Sequence, residues 1–302
     1  MLLYKPPNWL ELRSSIFATT ALVATAGVAA ADVSVSANGY MGVRNDDRAV
    51  AADNEVQFVS RFRVAFSASG ETDTGLSFGG SIRADNAVGG AAGTAGSVFI
   101  SGAFGKLTMG DVDSAHKAAT GNVAGVGYTG LSDRNEVGHI GGGDDEGLLY
   151  SYTIEGLSVY LSAGQPNAAS ANNEVGFGAS YTMSGFTIAA GMAEDGTSEQ
   201  TSVALRGSFA GITLAAVMVD NNDVMAIDDE IAFSATYAVN DALSLTAFTR
   251  EVDVRVGTDL TYTGIGAAYN LGGGASLRAG YVDGGVDGQK LNSWDLGVTF
   301  SF

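Results

Sequence analysis

Cysteine is absent from the 302 residues, so the chain has no disulfide framework, no thiolate metal site and no cysteine nucleophile. Histidine occurs twice, too few for a multi-histidine metal centre. Proline occurs three times and no strict Gly-X-Y period exists, which excludes collagen and proline-rich disorder although glycine, at 43 residues, has about twice its ordinary share. Charge is scarce and one-sided: 15 Lys+Arg stand against 33 Asp+Glu, a net charge of −18, and a basic nucleic-acid binder is excluded on that balance. Long apolar runs are also missing. The run over residues 16–24 is shorter than the roughly 20 residues of a spanning helix and is interrupted by Thr19 and Thr20. It follows Lys5 and Arg13 and leads into Gly27-Val28-Ala29-Ala30-Ala31, the basic, apolar and small-residue order of a secretory signal peptide. Residues 1–31 are therefore expected to be a signal peptide cleaved after Ala31, not an anchor. The mature part, 32–302, then carries 13 basic and 32 acidic residues, a net charge of −19.

What fills the mature part is alternation of period two. Phe58, Phe62, Val64 and Phe66 share one face of an extended segment, and Gln57, Arg61, Arg63 and Ser67 share the other. Val175, Phe177, Ala179 and Tyr181 oppose Gly176, Gly178 and Ser180 in the same way, as Leu296, Val298, Phe300 and Phe302 oppose Asp295, Thr299 and Ser301. The pattern predicts sixteen strands, near 33–44, 56–69, 75–86, 97–104, 106–112, 148–154, 157–164, 174–183, 186–193, 201–209, 212–220, 230–239, 242–252, 260–271, 275–283 and 291–302. Their connections alternate between tight turns, such as Glu155-Gly156, Ser184-Gly185 and Ala210-Gly211, and longer polar loops, the longest spanning 113–147. Short turns on one side, long loops on the other and an even strand count are the wiring of an up-and-down outer-membrane barrel, apolar outside and polar inside.

A soluble β-sandwich would have to bury all these oily faces between two sheets, which two-residue turns do not allow. A β-solenoid needs a fixed repeat, and no Gly or Asp spacing recurs. The one proline of the mature part, Pro166, falls in a loop, as suits strands whose backbones must all be paired in lipid.

Several pieces then resemble a known family: Phe17-Ala18-Thr19-Thr20-Ala21-Leu22-Val23-Ala24, the hairpin Gly102-Ala103-Phe104-Gly105-Lys106-Leu107-Thr108-Met109-Gly110-Asp111, Val126-Gly127-Tyr128-Thr129-Gly130-Leu131, Leu149-Tyr150-Ser151-Tyr152, and the terminal Gly297-Val298-Thr299-Phe300-Ser301-Phe302. They are similar to the general porins of photosynthetic alphaproteobacteria. The resemblance implies an all-β, sixteen-stranded antiparallel transmembrane barrel in the outer membrane, a homotrimer seated in lipid. It implies a third outer loop folded inward as a constriction, which would be 113–147. It also implies that Phe302 is the signal read by the barrel-assembly machinery.

In such a barrel, selection must act where the lumen is narrowest. Alternation points Arg44, Arg61, Arg63 and Arg83 inward from the first three strands, and the loop carries Asp133 and Glu136; the resemblance sets loop acids of this kind against a basic cluster on the wall. Arg206, Arg250 and Arg278 also point inward and read as remote wall charges. Asp144, Asp145 and Glu146 gather hard oxygen ligands of the kind Ca²⁺ takes; a solvated acidic loop is the plainer reading, and the porins it resembles hold calcium near this loop. No cofactor is obligatory. His116 and His139 each stand alone in the loop. Neither Gly-x-Ser-x-Gly nor a phosphate loop occurs. The expected function is a passive, water-filled and weakly cation-selective pore for small hydrophilic solutes and ions. A barrel enzyme such as a lipase or protease is the alternative, expected to have fewer strands. A structural or adhesive barrel is the other, expected to have large loops or a plugged lumen.

Overall fold

A computed structural model describes residues 32–46, 56–87, 96–141, 147–165, 173–222, 225–285 and 291–302. Among these are sixteen strands: β1 Asp32–Asp46, β2 Gln57–Glu71, β3 Ser77–Ala87, β4 Gly96–Gly102, β5 Gly105–Gly110, β6 Gly147–Ile154, β7 Leu157–Ala163, β8 Glu174–Met183, β9 Phe186–Asp195, β10 Ser198–Phe209, β11 Ile212–Asn221, β12 Ile227–Ala238, β13 Leu243–Val254, β14 Leu260–Gly272, β15 Ala275–Gly285 and β16 Leu291–Ser301. Each pairs antiparallel with its sequence neighbours, and β1 pairs with β16 to close the barrel. Every backbone row is thereby matched, which is the condition for crossing lipid with strands. Glu155-Gly156, Ser184-Gly185 and Ala210-Gly211 have positive φ at both positions, the geometry of two-residue hairpin turns that follow the twist of their strands.

The outward face is as oily as the alternation requires. Phe62, Phe66, Phe177, Leu205, Leu214, Phe233 and Ile265 are all exposed. Each such side chain would forfeit about 1.5–3 kcal/mol by facing water instead of an apolar medium, so the surface is built for hydrocarbon. The inward face departs from the expected small and polar lining. Val217, Val219, Ala232, Phe248 and Val282 point inward and are buried in one cluster with Val123, Val126, Leu131 and Val137 of the long loop. The hydrophobic core of this protein thus lies inside the barrel, between wall and loop. β10 and β12 also begin three residues earlier than the alternation predicts, at Ser198 and Ile227. Ser198-Glu199-Gln200 of β10 and Asp228-Asp229-Glu230 of β12 are polar on both faces, as a strand end can be once it rises above the membrane.

Wall height is uneven. β5 and β7, whose ends both lie among the described residues, have 6 and 7 residues, whereas β10 to β16 have 10 to 13.

Candidate functional site

After β5 the chain turns into the lumen. The helix α1, Ala115–Thr120, lies flat against β7 to β10. Glycines make room for it: a Cβ on Gly178 of β8 would collide with the Ala115 carbonyl, and one on Gly191 of β9 would come within 2.7 Å of His116. Ala115 N donates to Ser162 Oγ of β7 at 2.8 Å, and Ser162 in turn donates to the buried Glu174 of β8. His116, fully buried, meets Gln200 Oε1 of β10 through Nε2 at 2.8 Å and Ser114 Oγ through Nδ1 at 3.1 Å. Arg206 of β10 donates to the carbonyls of Thr120 and Asn122 at the helix end.

The loop then follows the wall. Ala124 N donates to Ser234 Oγ of β12 at 3.0 Å, Val126 packs on Gly266 of β14 and Gly127 on Gly280 of β15. At the tip, Tyr128 and Thr129 reach β16 and β1. A short 3-10 turn, Gly130–Asp133, reverses the chain, and the returning arm runs back beside the outgoing one. Asn135 Nδ2 donates to Val123 O at 2.7 Å and Val137 N to Asn122 Oδ1 at 3.1 Å, which ties the arms together. Gly138 N donates to Glu230 Oε1 of β12 at 3.0 Å, and the other oxygen of that 1% exposed carboxylate takes Arg250 of β13 at 2.7 Å. Ile140 N closes the circuit on Gln200 Oε1 at 3.0 Å.

The two histidines are not solitary. His116 on the outgoing arm and His139 on the returning arm lie with ring centroids 5.1 Å apart. Burial pushes both below the ordinary imidazole range, and with His116 beside it His139 falls to about 4. Both rings are therefore neutral at pH 7 and act as packing and hydrogen-bonding groups. Arg206 and Arg250 likewise are not remote wall charges but anchors of the loop, a role that alternation cannot reveal because any inward polar residue looks alike in sequence.

The expected site residues fall into two groups. On the wall, Arg63 and Asp85 stand in register on β2 and β3 and form a two-pronged ion pair at 2.6 and 2.7 Å. Arg61 and Arg83 flank that pair, and Arg61 lies over the Tyr40 ring at 4.9 Å. Arg44 stands on β1 opposite Asp295 of β16. Asp85 escaped the sequence reading, although its spacing of two from Arg83 puts both on one face of β3. On the loop, Asp133 and Glu136 are exposed and Asp113 lies close by, paired with Lys117 at 2.8 Å. Partial desolvation and the charges of Asp133 and Asp113 push Glu136 above the usual carboxylate range. Among the described residues no ion pair joins the two groups. Asp144, Asp145 and Glu146 lie outside the described residues, as does the segment 1–31.

A closed sixteen-stranded barrel with an oily exterior and a charged, loop-narrowed lumen defines an outer-membrane channel. The comparisons agree. The sequence model of the Gram-negative porins matches residues 18–289. The chain is 32% identical to the porin of Rhodobacter capsulatus, over 90% of this chain and all of that one, and 27% identical to the porin of Fuscovulum blasticum, over 89% and all. A porin structure refined at 1.8 Å superposes with a TM-score of 0.77 at 30% identity, covering 90% of this chain and all of the other. A triple mutant of the Rhodopseudomonas blastica porin shares the fold, with a TM-score of 0.77 at 24% identity and the same coverage. The chain belongs to the Gram-negative porin family. It is a passive diffusion channel of the outer membrane and not an enzyme.

Proposed function

We propose that small hydrophilic solutes and ions pass between two charged faces, the wall carrying Arg44, Arg61, Arg63 and Arg83 and the free side of the loop carrying Asp133 and Glu136, and that passage weakly favours cations. The loop's course carries this reading: its anchors run from Ser162 on β7 round to Val43 on β1, so its body lies over that side of the wall, and the arginines of β2 and β3 lie beyond its tip. Charge pairing sharpens it. Asp85 answers Arg63 and Lys117 answers Asp113, which among the described residues leaves three arginines and two carboxylates without an ion pair. So nearly balanced a passage leaves the sign of selectivity to the acidic body of the protein, whose field concentrates cations at the mouths until salt screens it. The test is the zero-current potential across a salt gradient. Arg61→Ser with Arg63→Ser should raise cation preference, and Asp133→Asn with Glu136→Gln should lower it; potentials equal to the parent's in both would remove these residues from the passage.

The working unit is a homotrimer in outer-membrane lipid. A tilted strand needs about 9–11 residues to span the hydrocarbon, and β5 and β7 fall short at 6 and 7; neighbouring copies that cover this low wall relieve the mismatch. Sedimentation in mild detergent that gave only monomers would contradict it. Export uses residues 1–31, and N-terminal sequencing of outer-membrane protein reads the cleavage site. Phe302 is the signal to the assembly machinery. Ca²⁺ is the ion suited to Asp144, Asp145 and Glu146, and binding of labelled calcium that survives their conversion to amides would place it elsewhere.

A further inference from the structure

The pairing of β1 with β16 is where the two ends of the barrel meet, with no connecting loop between them. This seam also receives the loop tip. Gly42 and Gly297 face each other across it in register and leave a slot in the inner wall: a Cβ on Gly42 would lie 2.5 Å from the Tyr128 hydroxyl, and one on Gly297 would lie 2.7 Å from its ring. Tyr128 fills the slot. On the β1 side its hydroxyl donates to Val43 O at 3.2 Å and its ring meets Tyr40 edge-on at 5.1 Å. On the β16 side the Asp295 carboxylate, 2% exposed, accepts Tyr128 N at 2.9 Å, Thr129 N at 2.8 Å and Thr129 Oγ1 at 2.7 Å. Burial and the Asp295 charge push the Tyr128 hydroxyl up to about 12, so it remains a donor across the neutral range.

We propose that Tyr128 and Thr129 bolt the closing seam, so that seating of the loop tip and closure of the barrel are one cooperative event. The socket has two halves, Val43 with Tyr40 on the first strand and Asp295 on the last. In an open sheet these halves stand on opposite edges, so neither alone holds the tip. Closure brings them together, and the seated tip then bridges the two strands through contacts additional to their own ladder. An unpaired strand edge in hydrocarbon leaves a row of backbone groups unsatisfied, and the seam is where such an edge would open, because no turn holds these two strands together. Tyr128, Thr129 and Asp295 are by the same contacts positioning residues for the passage, since they hold the loop tip against the wall.

The test locks the seam independently. Ala37 and Phe302 exchange both backbone hydrogen bonds, so the next pair along the ladder, Asn38 and Ser301, is a non-hydrogen-bonded pair, with Cα atoms about 4.5 Å apart, within disulfide range. The chain has no cysteine of its own, so Asn38→Cys with Ser301→Cys gives one protein that can be compared oxidised and reduced. The measurement is the temperature at which the folded barrel converts to the unfolded form in detergent, in urea at a concentration where the oxidised parent still melts. In the reduced form Tyr128→Ala should lower that temperature by on the order of 5 °C, and in the oxidised form by much less. Tyr128→Phe, which keeps the ring in its slot, should recover most of the loss. Thr129→Ala removes one hydrogen bond to Asp295 and is read in the same way if Tyr128→Ala does not assemble. An equal fall in both redox forms, or none in the reduced form, overturns the proposal.

Discussion

Asp85→Asn is the most informative change to the passage, because it releases a charge without removing one of the arginines. In the parent, Arg63 is held two-pronged by Asp85, and the pair presents little net charge to the lumen. The amide leaves Arg63 in place but unanswered, adding one positive charge to the wall. For an ion passing at about 5 Å in water, a unit charge is worth about 0.8 kcal/mol unscreened. With a Debye length of about 10 Å at 0.1 M salt this becomes about 0.5 kcal/mol. Cations are then depleted and anions enriched by about two-fold each, so the cation-to-anion permeability ratio should fall by about five-fold at 0.1 M. At 1 M, where the Debye length is about 3 Å, the same change should shift the ratio by less than two-fold. The assay is the zero-current potential of the reconstituted channel across a KCl gradient at both concentrations. An unchanged potential at 0.1 M would mean that Arg63 lies away from the ion path. A shift of equal size at 1 M would mean that the variant acts by altering pore shape and not by its field.

Loop docking should depend on pH through the histidine pair. His139 is held near 4 against an ordinary 6.5, so the undocked loop binds more protons between these values; docking is at full strength above about pH 6.5, weakens as pH falls toward 4, and the undocked fraction grows by at most about tenfold per pH unit for one linked proton. Open-channel current noise should follow that curve in the parent and lose most of its pH dependence in His139→Gln; identical profiles would refute the assignment. Gly191→Val should push α1 toward the water, because even a Cβ there comes within 2.7 Å of His116. Overpacking of this kind costs about 1–3 kcal/mol, and single-channel conductance should fall; parental conductance would show that the helix is not seated as described. Deleting Phe302, which is 76% exposed on the outer face and meets Phe62 edge-on at 6.2 Å, should reduce the amount of heat-modifiable barrel in membranes, and undiminished assembly would count against its role as a signal.

The strands were legible because lipid and water on opposite faces impose a period of two that no other fold would sustain sixteen times over. The constriction loop was legible by its length and by the hairpin before it. Its seat was not. Gln200, Glu230 and Asp295 hold the loop by single carboxylate or amide groups, yet in sequence each is one more polar residue at an inward position. Asp85 was missed for a related reason: the charge of an arginine is visible in sequence, but its neutralisation depends on the register between two strands, which alternation leaves open. Histidines 23 positions apart came together because the loop doubles back, and nothing in local pattern marks such a return.

Gly176 and Gly178 on β8, Gly191 on β9, Gly266 on β14, Gly280 on β15, Gly297 on β16 and Gly42 on β1 are scattered in sequence, but on the inner wall they trace the path of the loop from root to tip. The barrel is in this sense a mould, and the glycines are the impression of the strip of chain that lies in it. Aperture and wall therefore cannot vary independently. A loop transplanted from a relative would meet side chains where its own backbone expects hollows, and a wall glycine replaced by alanine would dislodge a loop whose sequence is untouched. Redesigning the size of the passage means recutting the mould together with the cast.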